Sequence, residues 1–223
     1  MKKLSYKKIG MALIIVGLLA VFTAGGLWLY NDAEDNEAAE FSESTVRAFF
    51  DHIAIQGSSL SVSAGDAPAL ADGSDIESGV QEDPDGDFRY LMVDGTQYIG
   101  VVNIPTLDLT LPINSNWSYP ALKNTPCRYS GSIENNNLVI AAHAYRSHFL
   151  NIPNLTIGEL IEVIDVDGIR HSYQVVKVQV VQPSETLSVV HSRYDLTLFT
   201  CTYNGAARAV VRAMLVDDGT LVT

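Results

Sequence analysis

His171-Ser-Tyr-Gln-Val-Val-Lys-Val-Gln-Val-Val181 alternates apolar and polar side chains and is rich in β-branched residues. That period-two pattern predicts a long strand with one buried face. The signature repeats on both sides. Leu160-Ile-Glu-Val-Ile-Asp165 alternates, and Asp167-Gly168 marks a hairpin turn between the two runs. Downstream, Leu196-Thr-Leu-Phe-Thr-Cys201 and residues 208–216 read as strands around a Tyr-Asn-Gly turn at 203–205, with 182–194 as a connection. Upstream, Gln97-Tyr-Ile-Gly-Val-Val-Asn-Ile104 and Asp108-Leu-Thr-Leu-Pro-Ile113 predict two strands joined at Pro105-Thr106. Asn137-Leu-Val-Ile-Ala-Ala142 predicts a buried strand running into His143. Residues 118–123 predict one or two helical turns, and 148–155 a short irregular or helical piece. Seven or eight short strands with little helix point to an all-β fold, a closed barrel or a sandwich.

The charge is unevenly spread. The chain of 223 residues has a formal net charge of -12. Residues 31–89 hold 15 acidic residues against two arginines, whereas 90–223 are close to balanced. A basic face for nucleic acid is therefore not expected. Lys2, Lys3, Lys7 and Lys8 precede 22 uncharged residues, 9–30. A bilayer span needs roughly 20 apolar residues. Lysines on the N-terminal side hold that side in the cytoplasm and place the remainder outside. A cleaved signal peptide is the rival, with Ala20 and Ala24 as small residues near its end, although its apolar region usually runs only about 7–15 residues. The expected organisation is a cytoplasmic tail and transmembrane anchor at 1–30, an acidic extracellular linker at 31–89, and a β-domain at 90–223. Within the linker, Val46, Phe49, Phe50 and Ile53 share a helical face, which predicts a short helix near 42–54 capped by Ser42 or Ser44. Residues 57–87 read as a Gly/Ser/Asp-rich stalk.

Cys201 ends its apolar run and is the candidate nucleophile, because a thiolate needs a nearby cation or base to form. Arg208 opens the next strand. If the two strands are antiparallel neighbours, its permanent charge returns beside Cys201, where it can stabilise a thiolate or an oxyanion. His143 ends another apolar strand and is the candidate acid/base, with His148 as its competitor. His52, His171 and His191 lie in poorer contexts. Thr200, Leu198 and Ala142, flanking this group, are the candidate substrate contacts. The second cysteine, Cys127, either pairs with Cys201 as a disulfide staple or remains a free thiol. No metal or cofactor is expected. There is no histidine pair at zinc spacing and no Gly-rich phosphate loop, and Asp83, Asp85 and Asp87 lack the glycine and glutamate of a calcium loop.

Three features in this order resemble the sortases, the cell-surface transpeptidases of Gram-positive bacteria. They are Ile99-Gly100 followed by Ile104-Pro105-x-Leu107-x-Leu109-x-Leu111-Pro112-Ile113, the strand running into His143, and Thr197-Leu198-x-Thr200-Cys201 with Arg208. The resemblance covers residues 97–216. It implies an eight-stranded β-barrel on the outer membrane face, behind a single-pass anchor. It implies that Cys201 cleaves a C-terminal sorting signal of the Leu-Pro-x-Thr-Gly type through a thioester. The surface protein then passes to an amine of a peptidoglycan precursor or a pilin lysine. His143 would exchange the proton with the leaving and incoming amines, Arg208 would hold the oxyanion, and Thr200 would help position substrate. Residues 182–194, by their position just before the Cys201 strand, are expected to read the signal together with the groove floor. Ala142 stands where many sortases have glycine, and Asp83-Pro84-Asp85 lacks the aromatic of a pilin-type lid, so no subclass follows. Two rivals use the same residues differently: an anchored cysteine peptidase that only hydrolyses, and a non-catalytic all-β binding module in which Cys201 is inert.

Overall fold

Among the described residues there are ten strands and two α-helices: α1 (Tyr6–Leu60), β1 (Gln81–Glu82), β2 (Arg89–Val93), β3 (Thr96–Ile104), β4 (Leu109–Asn114), α2 (Tyr119–Asn124), β5 (Cys127–Ser130), β6 (Leu138–Ala142), β7 (Leu160–Asp165), β8 (Ile169–Val181), β9 (Leu196–Cys201) and β10 (Arg208–Leu221). The computed structural model describes residues 6–60, 80–84, 86–185, 189–190, 193–202 and 205–221. The strand order β3-β4-β5-β6-β9-β10-β8-β7 returns from β7 to β3 and closes an eight-stranded barrel. Closure removes the free edges that an open sheet would expose. Neighbours run antiparallel except β4–β5 and β6–β9, which are parallel.

The alternating runs become barrel walls. Val102, Ile104, Leu138, Ile140, Ile161, Val163, Tyr173, Val175, Leu196, Leu198, Val211 and Ala213 fill the interior as one cluster. The Asp167-Gly168 hairpin forms as expected. The Asp165 side chain accepts from the amides of Asp167 and Ile169, each at 2.9 Å, and Gly168 takes φ 77°. Three strands were not legible in the sequence: β1, which is only two residues long, β2 and β5. β5 is four residues of mixed character, Cys-Arg-Tyr-Ser, too short to show a period. β2 pairs with β3 through Asp94-Gly95, with φ 48° and 75°, the left-handed pair of a two-residue hairpin loop.

Besides pairing with β2, β3 lies in ladders with β4 and β7, and Gly100 sits where these two meet, opposite Ile113 on β4 and Asp165 on β7. Its φ is 156°, and a Cβ there would lie 2.3 Å from the Ile164 carbonyl oxygen. Backbone cannot swing aside as a side chain can. Gly100→Ala should therefore destabilise the barrel by about 3 kcal/mol, read as a lower denaturation midpoint. A midpoint like that of the parent would show that the β3–β7 seam is free to open.

The N-terminal region differs from expectation. Residues 31–40 continue α1 without a break rather than forming a solvated linker, and Ser42 and Ser44 lie inside the helix rather than at its start. The Ala/Glu-rich composition explains this, because both residues are good helix formers. The chain divides after Glu37 into two units, Met1–Glu37 and Ala38–Thr223. In the first, α1 is long and apolar enough to cross a membrane, with mean hydropathy 2.3 in its most apolar window, a property that an N-terminal signal sequence shares. In the second, the anticipated face packs on the barrel. Phe49 is fully buried, and Val46, Phe50 and Ile53 join it against Leu91, Val93, Tyr98, Val101 and Val166. Ser42 donates to the Asn124 carbonyl at 3.0 Å. Most of the anticipated stalk, residues 61–79, lies outside the described residues.

Candidate functional site

The site is built by register. In β6, Leu138, Ile140 and Ala142 face the interior, and Val139 and Ala141 the outside. In β9, Leu196 and Leu198 face in and Phe199 faces out; in β10, Val211 and Ala213 face in and Val210 faces out. Side chains alternate strictly along a strand. Cys201, two residues after Phe199, therefore takes the outer face, as does Arg208, two before Val210. The last parallel pair between β6 and β9 is Ala142 with Thr200, so His143, the first residue after β6, and Cys201, the last residue of β9, come next. Across the other edge of β9, Arg208 is the direct partner of Cys201.

Three adjacent strands thus bring His143, Cys201 and Arg208 into one row at one end of the sheet. The Thr202 amide donates to the Ala207 carbonyl at 2.9 Å, which makes 202/207 a hydrogen-bonded pair. Cys201/Arg208 is then a non-hydrogen-bonded pair, the kind with Cα atoms only about 4.5 Å apart and side chains closest. Arg208 donates to the carbonyls of Gly205 at 3.3 Å and Ala207 at 3.0 Å, within its own turn. Two residues of that turn, 203 and 204, lie outside the described residues. His143 is held from two sides. Its carbonyl accepts from the Phe149 amide at 3.2 Å, and its ring stacks on Tyr145 with centroids 5.0 Å apart and planes at 27°.

The competitor His148 is completely buried beside Tyr145, so it has no path to a substrate. His52 contacts the Ala48 carbonyl at 2.7 Å on α1, and His171 the Asp165 carboxylate at 2.9 Å on β8. His191 lies outside the described residues, as does Asp85 of the acidic triplet. Among the described residues, no group of three His, Cys, Asp or Glu is placed to hold a metal.

The three expected substrate contacts need correction. Leu198 and Ala142 belong to the barrel interior, and Thr200 is 2% exposed. Leu198 and Thr200 each stand an odd number of residues from Cys201 on β9, hence on the opposite face. Thr200 instead ties the two strands together, donating from its hydroxyl to the Ala142 carbonyl at 2.8 Å. A count of two back from Cys201 and from His143 would have found the outer-face floor, Phe199 and Ala141. Tyr145, which stacks on His143, carried no signal, because it lies in irregular chain.

Both cysteines are free, which removes the disulfide alternative. Cys127 on β5 and Cys201 on β9 have β6 between them. Two strand spacings amount to about 10 Å, beyond the ~7 Å between Cα atoms that a disulfide spans. Cys127 is fully buried in the outer cluster, and that burial pushes its thiol up to about 12. Cys201 is half-buried. At pH 8 a small alkylating reagent should modify Cys201 more than about a hundredfold faster than Cys127, since only the thiolate reacts. Peptide mapping of the labelled, folded protein reads this. Comparable rates would mean that Cys201 is as inert as a core thiol.

Comparison with known proteins follows the same lines. The family model described as the sortase domain matches residues 102–216, half of the chain. Sortase A from Corynebacterium diphtheriae is 27% identical, matching 55% of this chain and 62% of that one with a TM-score of 0.50. Sortase C from Streptococcus pneumoniae is 24% identical over 56% and 72%, also with a TM-score of 0.50. Sortase E1 from Streptomyces coelicolor, solved with a tripeptide in its active site, is 22% identical over 55% and 90%, again at 0.50. These last two likenesses concern the fold. No curated protein matches the chain.

Proposed function

The chain belongs to the sortase family, and from that premise we propose that it is a membrane-anchored transpeptidase acting on a Leu-Pro-x-Thr-Gly-like sorting signal outside the cell. The observation that carries this reading is the row His143–Cys201–Arg208, set by two independent strand registers. The Cys201 thiolate attacks the carbonyl carbon of the scissile amide, and a C–S bond forms. Arg208 donates to the oxyanion from its planar fork. His143 gives its proton to the departing amine as the C–N bond breaks, leaving a thioester. An amine of a peptidoglycan precursor or a pilin lysine then attacks the thioester. His143 takes its proton, a new amide forms as the C–S bond breaks, and Cys201 leaves as the thiolate beside a protonated His143, the starting pair. No external oxidant or cofactor enters this balance. The apolar part of α1 anchors the chain, and the lysines before it set the barrel outside.

Two features support a peptide substrate. The outer-face floor of Phe199 and Ala141 leads directly to Cys201, and Phe199 packs edge-on to Tyr129, which in turn meets Trp117. The full chain in detergent, incubated with a library of sorting-signal peptides and a small amine, should accumulate an acyl-enzyme on Cys201 and release amine-capped product. Mass spectrometry identifies both the nucleophile and the motif. Hydrolysed peptide without amine incorporation would favour the peptidase, and absence of any adduct the non-catalytic module.

A further inference from the structure

Arg212 is 2% exposed on the outer face of β10, two positions beyond Val210. A guanidinium is rarely buried this deeply, and burial lowers its pKa. Its NH1 group donates to the Val189 carbonyl at 2.8 Å and to the Thr197 hydroxyl at 2.7 Å. Its guanidinium carbon lies 5.4 Å from the centre of the Tyr194 ring. Val189 and Tyr194 belong to the connection between β8 and β9, and Thr197 to β9 itself. Val189 is 1% exposed and packs in the same outer cluster as Phe199, Val181 and Val210. Val189 and Tyr194 are therefore seated on the face that leads to Cys201, Val189 at a point reached through Phe199. The C-terminal end of the connection is also fixed: the Asp195 carbonyl accepts from the Leu138 amide at 3.0 Å, and its carboxylate from the Leu215 amide at 2.7 Å. Asp195 thus fixes only the final residue before β9. Val189 and Tyr194 are tied to the sheet through Arg212.

We propose that Arg212 is a positioning residue that pins Val189 and Tyr194 against β9 and β10, so that these two residues stand as a preformed wall of the substrate site. Arg212 stands opposite Thr197, four residues along the strand from the Arg208–Cys201 pair, so it does not reach the reacting atoms. Its effect is on how well the peptide is bound and selected. A preformed wall is ordered before the substrate arrives, whereas a loose one must be ordered at the expense of affinity. The inference rests on the sortase reading for its substrate but not for its geometry.

The test has two arms on the full chain in detergent. Arg212→Lys keeps the charge and can make one hydrogen bond but not the two together with the ring contact. Loss of one such buried bond corresponds to about tenfold. Amide exchange at residues 189–190 and 193–194 should speed up about tenfold relative to the barrel strands. For a peptide identified as a substrate, KM should rise about tenfold with kcat within about threefold, and discrimination between matched and mismatched peptides should narrow. Arg212→Met should show the same pattern more strongly, so that lysine acts as a partial rescue. If Arg212→Met fails to fold, Tyr194→Leu removes one partner with the guanidinium intact and should give the same split at smaller size. Unchanged exchange in folded Arg212→Lys overturns the proposal. So does a fall in kcat with KM and selectivity unchanged, or a lower melting point with neither arm affected. If the parent protein acylates no peptide, the sortase reading fails while the exchange arm still decides the pin.

Discussion

Cys201→Ala should abolish acyl transfer, lowering turnover by about 10⁴-fold or more to the background rate, while the barrel remains folded. Both halves follow from position. Cys201 is half-buried at the end of β9, on the outer face, so removing its sulfur opens no enclosed cavity. The stability change should be below about 1 kcal/mol. Cys127→Ala is the matched control with the reverse outcome. That thiol is completely buried in the outer cluster, and its Sγ contacts the Thr125 carbonyl at 3.5 Å. Its loss should lower the denaturation midpoint and leave transfer per folded molecule unchanged. The measurements are thioester formation by mass spectrometry, product formation with an amine, and a denaturation curve for each variant. Undiminished transfer by folded Cys201→Ala would move the chemistry away from Cys201. Loss of transfer together with the fold would leave the binding-module reading in place.

The contrast between these cysteines shows what the sequence could and could not reveal. Runs with a clear period of two, such as β8 and β9, announced themselves, and the all-β class followed. The closed eight-stranded barrel followed from the family resemblance and is what the registers form. The arrangement of His143, Cys201 and Arg208 was legible because each residue ends or begins such a run, where alternation fixes its face. What failed was local chemistry without a period. β5 is too short to alternate visibly, and Cys127 within it looked like a possible disulfide partner. The acidic stretch 31–40 reads as linker because charge suggests solvent, while its Ala/Glu content equally suits the helix it forms. Leu198, Thr200 and Ala142 were assigned by nearness in sequence, whereas the pleat decides by parity. Arg212 gave no signal because a buried arginine on a strand reads as an exposed one until its partners on the distant connection are known.

Arg208→Lys is the second substitution with a large expected effect, and its size separates two roles for the cation. If Arg208 only supplied positive charge to the thiolate, lysine would serve nearly as well. If it donates to the oxyanion, the geometry of the donor matters. The fixed fork of arginine can hold its turn through the Gly205 and Ala207 carbonyls and still present further N–H groups to a substrate oxygen. An ammonium has three donors on a flexible stem and cannot satisfy both carbonyls and the oxyanion from one position. Losing a preorganised oxyanion donor costs about 10²–10³ in kcat. The expected result for Arg208→Lys is therefore a fall of that size in kcat for acylation, with KM changed little. Stability should hold, because the side chain is only partly buried and serves an exposed turn. The pairing of Cys201 with Arg208 across β9 and β10 makes this outcome specific. A lysine at 208 keeps its Cα within about 5 Å of the nucleophile, so distance cannot explain the loss and donor geometry can. Turnover within about threefold of the parent would assign Arg208 a purely electrostatic role and leave the oxyanion to other donors.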